Sequence, residues 1–143
     1  MVEMTEEHKE VLKVSWGTFD HLTHILAAHI LQHPDLDMAT HEGIIAVSRG
    51  GLIPATLLSH TLKVPIKAFH MQDYIAWVRQ SNKAYLVVDD ICDTGKTFRE
   101  IREFLPNAKF VSVYVKPEGI PYRDASAWEV PQDTWVQFPW ETE

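Results

Sequence analysis

The stretch Tyr85-Leu86-Val87-Val88-Asp89-Asp90-Ile91-Cys92-Asp93-Thr94-Gly95-Lys96-Thr97 changes character twice within a few residues. Tyr85 to Val88 is a short continuous apolar run, the pattern of a strand buried on both faces of a parallel sheet. Two adjacent carboxylates follow, and then Asp93 to Thr97, a small Gly-containing loop. Phe98, Ile101 and Leu105 mark the helix that this loop opens, and Pro106-Asn107 ends it. In a parallel sheet, ligands bind beyond the carboxyl ends of the strands, so the acidic turn Asp89 to Thr97 lies where a ligand sits.

The residue types narrow the ligand. Adjacent carboxylates at the end of a buried strand are costly unless they meet a metal ion, hydroxyls or solvent. The backbone N–H groups and two Thr hydroxyls of Thr94 to Thr97 can ring a phosphate, and the helix N-terminus adds positive potential there. Together these describe a site for a phosphorylated ribose. The competing reading is a Walker A loop, since Gly95-Lys96-Thr97 ends as one does. Such a loop needs a second glycine five residues earlier, where this chain has Asp90, and acids at that point would repel a triphosphate.

Working outward, Gly43 precedes Ile44-Ile45-Ala46-Val47, a second buried strand, and Ser48-Arg49-Gly50-Gly51 follows as a tight loop. A helix is predicted from near Pro54, carrying Leu57, Leu58, Thr61 and Leu62. Pro65 to Phe69 and Phe110 to Val115 read as further strands, and Met71 to Lys83 as a loop. Upstream, Val11, Val14 and Trp16 suggest a short strand. Thr18 or Asp20 is then the expected cap of a helix to about His33, with Leu22, Ile25, Leu26 and Ile30 on one face. The tail from Trp128 to Trp140 is rich in Trp and Pro and reads as irregular or as short edge strands. Strands alternating with helices imply a mostly parallel α/β sheet.

The chain has 143 residues, 45% hydrophobic and 23% charged, which fits one ordinary domain with a loose terminus over residues 1–10. The acidic start does not resemble a signal peptide, and no apolar run approaches the length of a membrane span. One cysteine excludes an internal disulfide framework and suits a reducing compartment, hence an expected cytoplasmic location. A net charge of −7 argues against a nucleic-acid groove. The histidine pairs His21/His24 and His29/His33 carry no accompanying carboxylate motif and read as a solvated helix face, and Cys92, set between acids, as packing.

Tyr85 to Thr97 resembles the PRPP (5-phosphoribosyl-1-pyrophosphate) signature of type I phosphoribosyltransferases: four apolar residues, two acids, two more residues, then Asp-Thr-Gly-x-Thr. The likeness extends from about Val14 to Glu141 to the bacterial xanthine-guanine phosphoribosyltransferase family. Ile44 to Leu52 looks like its pyrophosphate loop, and Pro131-Gln132-Asp133-Thr134-Trp135-Val136 with Pro139-Trp140 looks like its purine-binding tail. The fold implied is the type I phosphoribosyltransferase α/β fold, with helices flanking the sheet, a short lid, and a small purine-binding segment over residues 128–143.

The resemblance implies a role for each matching residue. Asp89 and Asp90 would hold the ribose hydroxyls and Mg²⁺, with Asp90 the stronger candidate for the metal. Asp93 would face purine N7 as the catalytic base. Ile91, Cys92, Asp93, Thr94, Gly95, Lys96 and Thr97 would line the PRPP site, with Thr94 to Thr97 cradling the 5′-phosphate. Lys96 stands where the nearest relatives often have glycine. Arg49 and Gly50 would contact pyrophosphate, and a cis peptide is expected between Ser48 and Arg49. Lys116 would donate to the 6-oxo group, Trp135 would stack on the base, and the Val136 backbone would meet its pyrimidine edge.

Plainer readings stand beside these: a strand-to-helix turn at Gly50-Gly51, an exposed strand-end lysine at Lys116, and core packing at Trp135. Trp16, Trp77, Trp128 and Trp140 read as structural. The implied reaction is purine salvage from PRPP and a 6-oxopurine, by a homodimer or homotetramer. A regulatory PRPP-binding protein and a transferase for another base are the alternatives. Two departures from the family are visible. The lid, about residues 70–84 with Arg79 its single arginine, is shorter, and the chain reaches Glu143 soon after Trp140 where relatives continue.

Overall fold

The computed structural model describes residues 2–3, 10–36, 41–68 and 84–141. The expected lid, Arg79 and Trp77 lie outside them, as do residues 4–9.

Strands β3 (His41–Ala46), β4 (Ile66–Ala68), β5 (Ala84–Cys92), β6 (Lys109–Val115) and β7 (Ala125–Glu129) form a five-stranded sheet in the order β4-β3-β5-β6-β7. All four pairings are parallel. Alternation along the strands divides the apolar residues between two layers. Ile44, Ala46, Leu86, Val88, Val111 and Val113 pack with α1 (Trp16–Gln32) and α2 (Leu52–Leu62). Ile45, Tyr85, Val87 and Phe110 pack with Phe98 and Ile101 of α3 (Lys96–Phe104) on the other side. Both faces are covered, which is why the strand sequences are continuously apolar.

The chain leaves β3 toward β4 on one side and resumes at β5 on the other. Strand order therefore reverses between β3 and β5, and a crevice opens above their carboxyl ends. β5 outruns its neighbour there. It pairs with β3 only as far as Ala46↔Val88, but stays with β6 to Cys92↔Val115. Asp89 and Asp90 are thus strand residues rather than part of the turn predicted from sequence, because β6 continues to supply hydrogen bonds after β3 has turned away.

Two helix starts also differ from expectation. Ser15 caps α1, its side chain accepting from Thr18 N–H at 3.1 Å, so Trp16 is helical and neither Thr18 nor Asp20 is the cap. α2 begins at Leu52, with Pro54 inside its first turn, where a missing N–H costs nothing. Phe19, Leu22, Leu26 and Ile30 form the buried stripe of α1.

A second, three-stranded sheet runs β1 (Val2–Glu3), β2 (Glu10–Lys13), β8 (Thr134–Gln137). Here the terminus expected to be loose is in part ordered: Val2 and Glu3 pair antiparallel with Leu12 and Val11. β2 and β8 are parallel, Leu12 opposite Val136. The tail is fastened to α1 by aromatic packing. Phe19, fully buried, meets Phe138 and Trp140 edge-on with ring centroids 5.9 and 4.9 Å away, and Phe138 and Trp140 are stacked. Trp140 is structural, as expected. Phe19→Ala is expected to lower unfolding free energy by about 3–5 kcal/mol in urea titration, the cost of a large buried truncation. A loss under about 1 kcal/mol would mean that the tail is not held through this ring.

Candidate active site

The crevice is walled on one side by the segment after β3. Val47 N–H bonds to Val88 O at 2.9 Å, and the chain then turns through Ser48 to Gly51. The Ser48–Arg49 peptide is cis, as the resemblance implied. Gly50 faces the Asp90 carboxylate so closely that a Cβ would collide with it, so this glycine does more than make a turn. Arg49, Gly50 and Asp90 line one cleft with Trp140 and Glu141.

Asp89 and Asp90 are half-buried neighbours, and their carboxylates fold back onto backbone: Asp90 N–H donates to Asp89 Oδ1 at 2.8 Å and Ile91 N–H to Asp90 Oδ1 at 2.7 Å. Burial, followed by the charge of Asp90, raises the Asp89 carboxyl well above the usual range. Burial also raises Asp90, and Glu141 adds to the repulsion. The all-oxygen character of this set suits a hard cation. Among the described residues no group of three or more His, Cys, Asp or Glu could hold a metal, so any cation here would depend on one or two carboxylates, substrate oxygens and water. The α1 histidines belong to no such group either. His24 Nδ1 meets Asp20 O at 2.8 Å and His29 Nδ1 meets Ser126 O at 2.9 Å.

Beyond β5, residues Asp89 and Ile91 to Phe98 line a second pocket, which continues into the N-terminus of α3. Gly95 has φ +85°, a conformation that L side chains rarely adopt, and the Tyr122 ring occupies the space where its Cβ would stand. Tyr122 is fixed from both ends: Arg102 Nη2 donates to its carbonyl at 3.2 Å, and Arg99 lies 4.9 Å from its ring centroid. Thr94, Lys96 and Thr97 are exposed around the loop, and Thr94 Oγ1 accepts from Lys96 N–H at 3.3 Å. Cys92 is buried, its thiol pushed up to about 11 by burial, which fits packing rather than reactivity.

Lys116 is not the exposed strand-end lysine of the plain reading: it is 4% exposed. Its Nζ lies 3.2 Å from Asp93 Oδ2, while the Asp93 side chain remains 54% exposed. The other Asp93 oxygen accepts from Gln132 Nε2 at 2.6 Å, and Gln132 Oε1 accepts from Glu118 N–H at 2.9 Å. Three residues after Gln132, Trp135 stands 48% exposed on β8, so core packing does not account for it. Val136 is buried, and β8 pairs with β2 alone among the described strands, so it keeps an open backbone edge.

The structure therefore brings Asp90, Arg49 and Gly50 to one cleft, and Asp89, Asp93 and the loop to Thr97 to its neighbour, where Lys116 meets Asp93. Sequence reading gave no role to Gln132, although it lies in the quoted tail motif, nor to Glu141. A glutamine between proline and aspartate carries no spacing signal; only the chain's return to Asp93 reveals it.

The phosphoribosyl transferase domain matches residues 18–143. A xanthine-guanine phosphoribosyltransferase of Chromohalobacter salexigens is 45% identical over 111 residues, covering 70% of this chain and 68% of that one. Another, of Idiomarina loihiensis, is 38% identical over 144 residues, covering 90% and 85%. The solved purine phosphoribosyltransferase of Pyrococcus horikoshii superposes with a TM-score of 0.71 at 26% identity, covering 93% of this chain and 95% of that one. By the domain match over residues 18–143 and by these relatives, the chain belongs to the phosphoribosyltransferase family.

Proposed function

We propose that the protein transfers the 5-phosphoribosyl group of PRPP to N9 of a 6-oxopurine (guanine, xanthine or hypoxanthine), releasing pyrophosphate and serving purine salvage. The observation that carries this is Lys116, a buried lysine whose ammonium is held against a half-open carboxylate just past the phosphate loop. A donor fixed there selects a base with an oxygen at C6, since a site built around a buried donor penalises a base that cannot accept from it. Trp135, exposed on β8 three residues after Gln132, supplies a stacking face, which gives affinity without selecting among bases.

The backbone N–H groups of Thr94 to Thr97, at the start of α3, hold the 5′-phosphate. Asp89 and Asp90 receive the ribose hydroxyls and would hold Mg²⁺ together with the substrate. Their oxygens, made costly by burial and by the charge of Asp90 on Asp89 and of Glu141 on Asp90, fit that ion. When bound, Mg²⁺ neutralises charge on pyrophosphate as it departs. Arg49 and the Gly50 backbone orient the same leaving group. The C1–O bond to pyrophosphate breaks as N9 bonds to C1 with inversion, and the N7 proton passes to Asp93. A carboxylate has about four lone-pair positions, so Asp93 can accept this proton while holding Lys116 and Gln132. Lys116 likewise keeps donors for the 6-oxo group. Positioning and charge supply the catalysis.

No helix among the described residues is long and apolar enough to cross a membrane. The single reduced, buried cysteine supports a cytoplasmic setting. Assembly as a homodimer or homotetramer belongs to the same reading, and sedimentation would test it.

With PRPP, Mg²⁺ and each 6-oxopurine, pyrophosphate and nucleoside monophosphate are expected to appear together. Tight PRPP binding without turnover on any base would instead identify a regulator. Asp93→Asn is expected to reduce kcat by roughly 10²-fold or more, the usual scale of a general base, while the KM for PRPP changes little. Unchanged turnover would remove Asp93 from the chemistry.

The acid pair also has a signature independent of activity. Because the Asp89 carboxyl is raised in the folded protein, the folded state holds that proton more tightly than the unfolded chain. Stability is therefore lost as pH rises from the ordinary carboxylate range through the folded-state value. Without Mg²⁺, Asp89→Asn should raise Tm at pH 8 by about 2–4 °C, the shift produced by about 1 kcal/mol at this chain length. The gap should close as pH falls toward about 4, near the ordinary carboxylate value. An unchanged or lower Tm at pH 8 would show that the pair is not under electrostatic load.

A further inference from the structure

We infer that Gln132 is a positioning residue for the transfer reaction, fixing the orientation of the Asp93 carboxylate toward the purine. The inference rests on the reading above, in which Asp93 takes the N7 proton.

Asp93 lies on the loop between β5 and α3 with more than half its side chain exposed. A short carboxylate in that setting turns freely about its terminal torsion, which has a broad, roughly two-fold preference. Two contacts remove that freedom. Lys116 Nζ takes Oδ2 at 3.2 Å and Gln132 Nε2 takes Oδ1 at 2.6 Å. The two donors come from opposite sides of the group, Lys116 from the end of β6 and Gln132 from the turn before β8.

The Gln132 amide is itself oriented. Its Oε1 accepts from Glu118 N–H at 2.9 Å, and a backbone N–H can only donate. That bond assigns the oxygen and leaves the NH₂ aimed at Asp93, so the amide cannot flip without losing both partners. Glu118 is the second residue of the 3₁₀ segment Pro117–Tyr122, whose first neighbour is Lys116. Both donors to Asp93 are thus referenced to the same short piece of backbone. A shift of that segment moves them together and keeps the carboxylate plane between them.

The chemistry of an amide suits this task. A second cation at Oδ1 would stabilise the ionised carboxylate and weaken it as a proton acceptor. A carboxylate there would repel it. Glutamine orients without contributing charge or a transferable proton. The same residue lies on the turn closed by Thr134 N–H to Pro131 O at 3.1 Å, which leads directly to Trp135. Gln132 therefore also sets the stacking face at a fixed offset from the carboxylate, so that a base seated on Trp135 presents its imidazole edge to an acceptor already turned to receive it.

Two substitutions separate the possibilities. Gln132→Met keeps length and bulk but removes both hydrogen bonds. Gln132→Glu keeps an acceptor for Glu118 N–H and removes the donor to Asp93. Both are expected to lower kcat by roughly tenfold or more, with KM for PRPP within about twofold of wild type. In an Asp93→Asn background, adding Gln132→Met is expected to cost less than about twofold, because the group being positioned is gone. A merely structural role would carry its full cost into that background.

Wild-type kcat in either single variant, a loss confined to the KM for PRPP, or an undiminished loss in the Asp93→Asn background would overturn the inference. Should the variants unfold, the side-chain amide resonance of Gln132 decides it in folded protein: a shift on Asp93→Asn supports the contact, and no shift refutes it. Absence of nucleotide from wild type with all three bases would bring down the functional reading. Wild-type turnover alongside unaffected Gln132 variants would remove the positioning role alone.

Discussion

Where β5 outlasts β3, Asp89 and Asp90 stand side by side, half-buried and each raised toward protonation, with a third carboxylate at Glu141 adding to the load on Asp90. The rest of the site is arranged around that charge. The early departure of β3 frees space for the Ser48–Gly51 loop to cross beside the acids, and only a residue without Cβ can pass so close to Asp90. Arg49 is thereby delivered to the same cleft. In the proposed function the 5′-phosphate lies beyond the pair against neutral backbone donors at a helix N-terminus, so anion binding there does not require further side-chain cations crowded against the acids. A protein of net charge −7 can hold a polyphosphate ligand on these terms.

The two halves of the crevice differ in how they are fixed. The half proposed for phosphate is held by backbone, through strand pairing, the left-handed Gly95 and the Tyr122 ring against it. The half proposed for the base is held by groups meeting across the fold, with Asp93 from the β5–α3 loop, Lys116 and Glu118 from the connection after β6, and Gln132 from the turn before β8. Substitution in the first half disturbs the main chain; in the second it disturbs the aim of individual groups.

Much of the first half was legible in the sequence. Tyr85 to Val88 and Ile44 to Ala46 read as buried strands because two-sided burial leaves a continuous apolar run, and the acids and glycine after β5 name their chemistry by type and order. What was misread follows from partners that local pattern does not encode. β5 runs on to Cys92 because β6 accompanies it, and no propensity in Asp-Asp predicts that. Ser15 takes the cap of α1 from Thr18, a choice among neighbouring candidates that geometry decides. The burial of Lys116 and the reach of Gln132 to Asp93 join positions far apart in the chain. The parallel pairing of β2 with β8 was equally hidden, since short polar-apolar strands look alike whichever partner they find. The segment carrying Arg79 lies outside the described residues.

That last pairing bears on how the molecule is made. β2 is among the first described segments to leave the ribosome, and its partner β8 among the last. Until then Glu10 to Lys13 has only the two residues of β1 beside it, and its other edge remains available to any strand that comes near. This ladder joins Glu10 to Thr134, positions far apart in the sequence, so its closure is expected to come late in folding. The stacking face on Trp135 forms with it. The half of the crevice proposed for phosphate would therefore form before the half proposed for the base, with the exposed β2 edge as the interval's point of risk for misassembly between copies.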